Sequence, residues 1–335
     1  MIYGSVCSGI AGDHVAIERE NLDWKAKWFS DNNPFCTTLL KHYYPDVPNQ
    51  GGDMTLIGAN YGPIDLLVGG TPCQSFSIAG AMSGGRKGLA DFRGNLALEF
   101  CRIAVETGAT WVVWENVPGA LTSYSGPEKD EEGSEWEETS DFATFLCRLS
   151  ECGYGWSYRV LNAEFFGSAQ RRRRLLVVGY LGDWRPATAV LFEREGFSGN
   201  ATQSTEKRKI INISSFKNFT GEGRQQIPCD NFGIKNKASC LSTSAQRLDG
   251  DSETFVVVKS DENSDVRRLT PLEYERLQGF PGYYTLIPFR GKPAADGVRY
   301  YALGNAFNVF IMRWLFRRLD TVDKFLKNGG LNLMS

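Results

Sequence analysis

IYGSVCSGIAGDHVAIEREN, residues 2–21, runs from a short apolar stretch through a glycine-containing turn into a helical pattern. A strand, turn and helix in that order form the first unit of an α/β sheet, whose ligands sit beyond the strand ends. Within the turn, CSGIAG (7–12), backbone N–H groups and the helix N-terminus can receive the polar end of a ligand. Gly9 and Gly12 would allow its close approach. Ala11 interrupts a full glycine signature, so an ordinary tight turn also satisfies this stretch. The alternation then continues: KAKWFS before PFCTTLLKHYY, IDLLVGG before RGNLALEFCRIAVE, WVVWENV before DFATFLCRLSECG, and RLLVVGYL to close. Such alternation predicts a parallel sheet with helices on both faces over residues 1–183. From 184 to 265 the pattern fades into short strand-like pieces, KIINISSF and TFVVVK, between polar turns. Helical patterning returns in TPLEYERLQGF and from Phe307 to Leu326, followed by a short tail, 328–335.

The chain has 335 residues, 42% of them hydrophobic and 23% charged, enough for a large core and a second, smaller domain. Its eight cysteines form no CxxC pair and it has two histidines, His14 and His42, so no metal is expected. The N-terminus lacks the charged and apolar segments of a signal peptide, and no apolar run approaches a membrane span. An intracellular, cytoplasmic protein with reduced thiols and no membrane partner is the expectation. Net charge is -2, but its distribution is uneven. Between Lys207 and Arg247 eight basic residues face two acids, with amides, hydroxyls and aromatics among them. EKDEEGSEWEE (128–138) is an acidic tract that reads as a solvated loop.

Chemistry-bearing residues gather after the apolar runs. Asp31 follows the second strand, about twenty residues beyond the glycine turn, where a carboxylate can take both hydroxyls of a ribose. Asp53, in GGDMT, is offered before the third strand to an adenine amino group, and either acid could instead cap a helix. GGTPCQSFSIAG (69–80) sets Cys73 between Pro72 and Gln74 just past a strand end; a small thiol filling a corner is the alternative. Glu115 and Asn116 end the strand WVVWEN. Neither histidine stands in a context suited to cysteine–histidine hydrolysis. In QRRRR (170–174) Arg172 and Arg174 alternate into a strand and would share a face.

In chain order CSGIAG, GGDMT, GGTPCQSFS, WENV, QRRRR, RRLTPLEYERLQGFP and LGNAF resemble the successive motifs of the C5-cytosine DNA methyltransferases. The match covers 1–183 and 266–327, and the unmatched 184–265 falls where that family keeps its variable target-recognition domain. The resemblance implies a Rossmann-like fold dependent on S-adenosyl-L-methionine, with a smaller, mostly irregular or β recognition domain. A monomer acting on double-stranded DNA in a prokaryotic or phage-infected cell is implied. Cys73 would attack C6 of a flipped-out cytosine, Glu115 hold or protonate N3, Arg174 bind O2, and Arg172 meet nearby phosphate or loop groups. The thiolate is favoured by arginine charge.

By the same resemblance Gly9, Ile10, Gly12, Asp31, Asp53, Pro72, Leu96 and Asn305 line the cofactor pocket, and S-adenosyl-L-homocysteine is the product. Residues 75–91 would form the loop that closes over DNA. DNA contacts are expected from Gln74, Ser77, Lys207, Arg208, Lys209, Lys217, Gln225, Gln226, Asn236, Gln246 and Arg247. The chain departs from the family pattern at Cys7, where an aromatic is usual, at Ala11, at Cys240 in the recognition region, and at Phe307, where a smaller Val is common. A tRNA cytosine-5 methyltransferase shares the motifs. An NAD-dependent dehydrogenase would account for the first turn and Asp31 but leaves PCQ, ENV and QRRRR unexplained.

Overall fold

The computed structural model describes residues 1–48, 52–72, 92–125, 139–192, 213–214, 234–235, 238, 241, 255–259 and 264–329. Four parallel strands, β1 (Ile2–Val6), β2 (Lys25–Ser30), β3 (Leu66–Gly69) and β4 (Trp111–Asn116), make most of the central sheet. Two more strands, β5 (Tyr154–Asn162) and β6 (Arg173–Leu181), complete it in the order β2-β1-β3-β4-β6-β5. The chain steps outward from β1 to β2, then returns to the other side of β1 with β3. That reversal is a switch point, and it opens a crevice beyond the carboxyl ends of the strands.

The sheet is not wholly parallel. β6 runs antiparallel to β4 and β5 antiparallel to β6, because residues 163–172 are too short a link for a crossover helix. One consequence matters for the site: the start of β6 lies at the edge where β1 to β4 end, with Asn116 opposite Leu175 and Glu115 opposite Leu176.

Alternate strand residues feed two cores. Tyr3, Phe29, Leu66, Val68, Trp111, Val113, Leu176 and Val178 are buried on one face, where α1 (Gly12–Arg19), α2 (Pro34–Tyr43) and α8 (Val309–Lys327) cover them. Val6, Trp28, Leu67, Val112, Trp114, Leu175 and Val177 point the other way, under α3 (Phe92–Glu106) and α4 (Asp141–Glu151). Each such buried side chain is worth roughly 1.5–3 kcal/mol relative to exposure.

Helix α5 (Arg185–Leu191) is not legible in the sequence pattern, yet Ala187, Val190 and Leu191 are fully buried in the first core. The core of the central sheet therefore extends past residue 183. Helices α6 (Pro271–Gln278), α7 (Asp296–Asn305) and α8 close the fold. α6 opens on a full capping box from Thr270 and Glu273, with Pro271 in its first turn, and ends at Gly279 with φ of 86°, the pattern that starts and stops a helix cleanly. Between the two halves of the chain a small antiparallel sheet joins Ile213–Ser214, Ile234–Lys235, β7 (Phe255–Lys259) and β8 (Ser264–Arg268). Ala238 clips onto the central fold: it bridges Gln170, its N–H donates to the Ala169 carbonyl and its carbonyl accepts from Arg171, both at 2.8 Å.

Candidate active site

A cavity of about 770 Å³ occupies the crevice beyond the strand ends. Its lining includes Gly9 after β1, Asp31 after β2, Asp53, Pro72 after β3, Leu96 on α3, Glu115 at the end of β4, Arg172, Arg174 and Asn305. Nine of the residues expected from sequence thus line one cavity. Ile10 and Gly12 are not among the lining residues. Ile10 is fully buried in the core, its carbonyl accepting from the Tyr284 hydroxyl, and Gly12 packs against Phe307, whose carbonyl would stand 2.9 Å from a Cβ there. Both serve the turn's packing because the helix must approach the 304–307 loop closely. Cys73, Gln74 and Ser77 lie outside the described residues. So do Lys207, Arg208, Lys209, Lys217, Gln225, Gln226, Asn236, Gln246 and Arg247.

At the β1 and β2 ends the turn and the acid are tied together. Asp31 Oδ2 accepts from the Gly9 N–H and Oδ1 from the Asn33 N–H, each at 2.8 Å. Asn33 in turn caps α2, accepting from the Phe35 and Cys36 N–H groups ahead of Pro34. Burial pushes the Asp31 carboxyl above its ordinary value, opposed by these N–H donors. Asp53 is exposed and does cap a helical turn, accepting from the Thr55 N–H and hydroxyl. Cys7 stands in left-handed backbone (φ 50°) and lines the cavity with Met54, 3.7 Å sulfur to sulfur. Burial, with Asp31 and Asp53 nearby, pushes its thiol up to about 12. It therefore stays protonated and acts as wall, not nucleophile.

At the other end Glu115 Oε1 and Arg174 Nε pair at 2.9 Å, both side chains largely buried. Burial raises the Glu115 pKa, while Arg174 and then Arg172 pull it down. Arg172 and Arg174 are buried whereas Arg171 and Arg173 are exposed, so the alternation into β6 works as expected. The Arg172 guanidinium meets loop groups, one of the two partners expected for it. Its Nη2 donates to the Gly304 and Ala306 carbonyls at 3.0 and 2.9 Å, holding the 304–307 loop against the site. Between the two ends, Thr71 is fixed by the Trp114 indole N–H (2.9 Å, to its hydroxyl) and the Asn116 amide (3.4 Å, to its carbonyl).

Sequence reading missed Asn32, Cys36, Thr37, Thr71 and Tyr301 in the lining. The first three follow Asp31 so closely that position alone could have flagged them; Tyr301 sits on α7, whose helical pattern is faint. Among the described residues no group of three or more His, Cys, Asp or Glu side chains could hold a metal ion, and no helix is long and apolar enough to cross a membrane.

Residues 1–320 match the family model of the C-5 cytosine-specific DNA methylases. The chain is 29% identical over 479 aligned residues to the DNA N-6-adenine-methyltransferase of Escherichia phage P1, covering 98% of this chain and 62% of that protein. It is 29% identical to the type II methyltransferase M.NlaX of Neisseria lactamica, covering 91% and 92% of the two chains. The chain thus spans only about three fifths of the phage P1 protein's length. In solved structures it resembles a mutant form of the DNMT2 of Spodoptera frugiperda with a TM-score of 0.67 at 17% identity, over 95% of this chain and 99% of that one. At that identity the likeness speaks for the S-adenosylmethionine-dependent methyltransferase fold alone. With nearly its whole length matched by the family model, and with the residues expected at the cofactor and chemistry ends lining one crevice, the chain belongs to the C-5 cytosine-specific DNA methylase family.

Proposed function

We propose that this protein transfers a methyl group to C5 of a cytosine flipped out of duplex DNA, through a transient bond between Cys73 and C6. The observation that carries the reading is the shared cavity, with Asp31 and Asp53 toward one end and the Glu115–Arg174 pair toward the other. The donor set fits S-adenosyl-L-methionine: the Asp31 carboxylate after β2 for the ribose hydroxyls, the Asp53 carboxylate at the helical turn Met54–Leu56 for the adenine amino group, and Cys7, Met54 and Leu96 as apolar wall. When bound, that cofactor supplies an electrophilic methyl on a positively charged sulfur. The chain's own residues do the rest. C5 of cytosine is a weak nucleophile, so the Cys73 thiolate adds to C6 and its electron pair displaces the ring π electrons toward C5 and N3. Glu115 gives or shares a proton at N3, which keeps the adduct from carrying a full negative charge, and Arg174 fixes Glu115 and faces O2. Once C5 is tetrahedral, carrying the methyl group beside its proton, loss of that proton to a base returns the electron pair to the C5–C6 bond and expels the Cys73 thiolate.

Base choice is assigned to residues 184–265, where Lys207, Arg208, Lys209 and Lys217 supply sequence-independent phosphate contacts and Gln225, Gln226, Asn236, Gln246 and Arg247 suit base edges. Flipping costs a few kcal/mol, which these contacts offset. The name of the phage P1 relative raises methylation of adenine N6 as a second reading. An exocyclic amine is itself the nucleophile, though, and needs neither a thiol nor a proton donor at a ring nitrogen. Duplex DNA carrying 5-fluorocytosine at its target decides between them, because fluorine cannot leave C5 as a proton does. A denaturant-resistant complex that forms with the native chain and not with Cys73→Ala supports the proposal; complex formation by Cys73→Ala, or trapping on tRNA transcripts and never on duplex DNA, overturns it.

A further inference from the structure

Phe307 lies on the short link between α7 and α8, only 5% exposed, and none of the roles above uses it. Its ring meets the main chain at Gly70. A Cβ at Gly70 would stand 2.7 Å from Phe307 Cε1, 3.0 Å from Cζ and 3.5 Å from Glu115 Oε2. Gly70 thus turns its bare Cα toward a space already taken by an aromatic ring and bordered by the Glu115 carboxylate, and a side chain there would push against the ring. Phe307 itself is held from two directions. Its backbone abuts the Gly12 turn, where a Cβ would come within 2.9 Å of its carbonyl, and Arg172 grips the carbonyls of Gly304 and Ala306 just before it. On the opposite side, Trp114 and Asn116 hold Thr71 from β4. Residues 70–72 are therefore clamped, with the ring of Phe307 on one side and strand β4 on the other.

We propose that Phe307 is a positioning residue: its ring sets the height of the 70–72 segment, and through it the fit of that segment against Glu115 at the chemistry end of the cavity. The inference rests on the methyl-transfer reading. It adds that the ring closes the site beneath Glu115, so that the burial of that carboxyl depends in part on a side chain that touches no substrate.

The test is a rescue. Gly70→Ala puts a methyl group into the ring, displaces the segment and should lower kcat by about 100-fold, the effect of a misplacement on the order of 1 Å. Phe307→Val makes room for that methyl, and the double variant should recover at least about tenfold of the lost kcat, as coupled neighbours do. Phe307→Val alone should let water reach Glu115 and move the pH limb at which its proton is lost to lower pH. Rescue together with the moved limb supports the inference. Additive losses in the double variant, or an unmoved limb in Phe307→Val, overturn it, and the limb alone decides if Gly70→Ala does not fold. If the native chain transfers no methyl to any cytosine substrate, the proposed function falls and this inference with it; transfer by the native chain without rescue removes this inference alone.

Discussion

Replacing Asp13 with Asn should stabilise the protein at neutral pH and leave it nearly unchanged in acid. Asp13 occupies the first turn of α1 and is completely buried. Its Oδ1 accepts from the His14 N–H at 2.9 Å, while Oδ2 makes no hydrogen bond of good geometry among the described residues. Burial pushes its carboxyl from 3.8 up to about 6, against the smaller downward pull of the nearby Ser5 hydroxyl and the backbone N–H groups. The folded state therefore binds the proton more tightly than the unfolded chain does. Well below the unfolded value of 3.8, at about pH 3 and lower, both states are protonated and the folded state carries no penalty. As pH rises from about 4 to about 6 the unfolded chain ionises first, and stability drains away. Above about 6 the loss is complete: roughly two pKa units at about 1.36 kcal/mol each, or about 3 kcal/mol.

A carboxylate near a helix N-terminus regains roughly 0.3–1 kcal/mol from the helix dipole, so the burial term wins. Asn keeps the acceptor for His14, adds a donor on the side of Ser5 and never ionises. Urea unfolding of the native chain and Asp13→Asn at about pH 3 and about pH 7.5 measures the effect as a difference of differences, so other titrating groups cancel. A stability gain of about 2–3 kcal/mol at the higher pH that shrinks toward zero at the lower is expected. A gain independent of pH, or one larger in acid, would refute the reasoning.

Two further outcomes follow from the site. Asp31→Ala removes the carboxylate that accepts from the Gly9 N–H and should weaken S-adenosylmethionine binding by about 1.5–3 kcal/mol, the range for hydrogen bonds to a charged group, by calorimetry; Glu115→Gln should leave that affinity almost intact, and equal losses in both would contradict the separate ends of the cavity. Exchanging residues 193–265, which leaves helix α5 in the core, for the corresponding segment of a relative of known specificity should transfer the methylated sequence, read by bisulfite sequencing, whereas retention of the parent's sequence would move recognition elsewhere.

What the sequence made legible was whatever lies next to a strand end. Asp31 and Glu115 each follow an apolar run, and a run that stops at a sheet edge must deliver its next polar residue to the crevice. Arg172 and Arg174 were legible by period two. Their partners were not: the Gly304 and Ala306 carbonyls are more than a hundred residues away, and no local pattern encodes such a pairing. The strand Tyr154–Asn162 escaped because it is an edge strand, half exposed and broken by Gly155 and Ser157, which leaves little alternation to read. Helix Asp296–Asn305 carries polar and aromatic residues around an apolar stripe too short to register. Ile10 was expected in the pocket by the family resemblance alone, but a turn has an inner and an outer side, and Ile10 lies on the inner one, facing the core.

The segments on either side of residues 184–265 form one structure because the second supplies what the first leaves open. α8 packs along α1 in the first core, and three cross-links of very long sequence separation fix it there: the indoles of Trp24 and Trp111 donate to Asp320 and Asp323, both at 3.0 Å, and Arg313 meets Glu20 at 2.7 Å. Arg318 adds donors to the carbonyls at the end of α5. Nearer the cavity the buried amide of Gln278 ties three motifs together, accepting from Gln170 and Asn308 at 3.1 Å each and donating to the Leu303 carbonyl at 2.8 Å. Moving any of these amides would orphan the others in a medium where that is costly, so the Gln170, Gln278 and Asn308 side chains hold one another in place. Gln170 is also the residue that Ala238 bridges from the intervening segment, shortly before the arginines that flank Glu115. The anchor point of that segment and the position of the Glu115 carboxylate are therefore set by the same few residues, and this is the physical reason that a long insertion can be carried in the middle of the chain without loosening the crevice beside it.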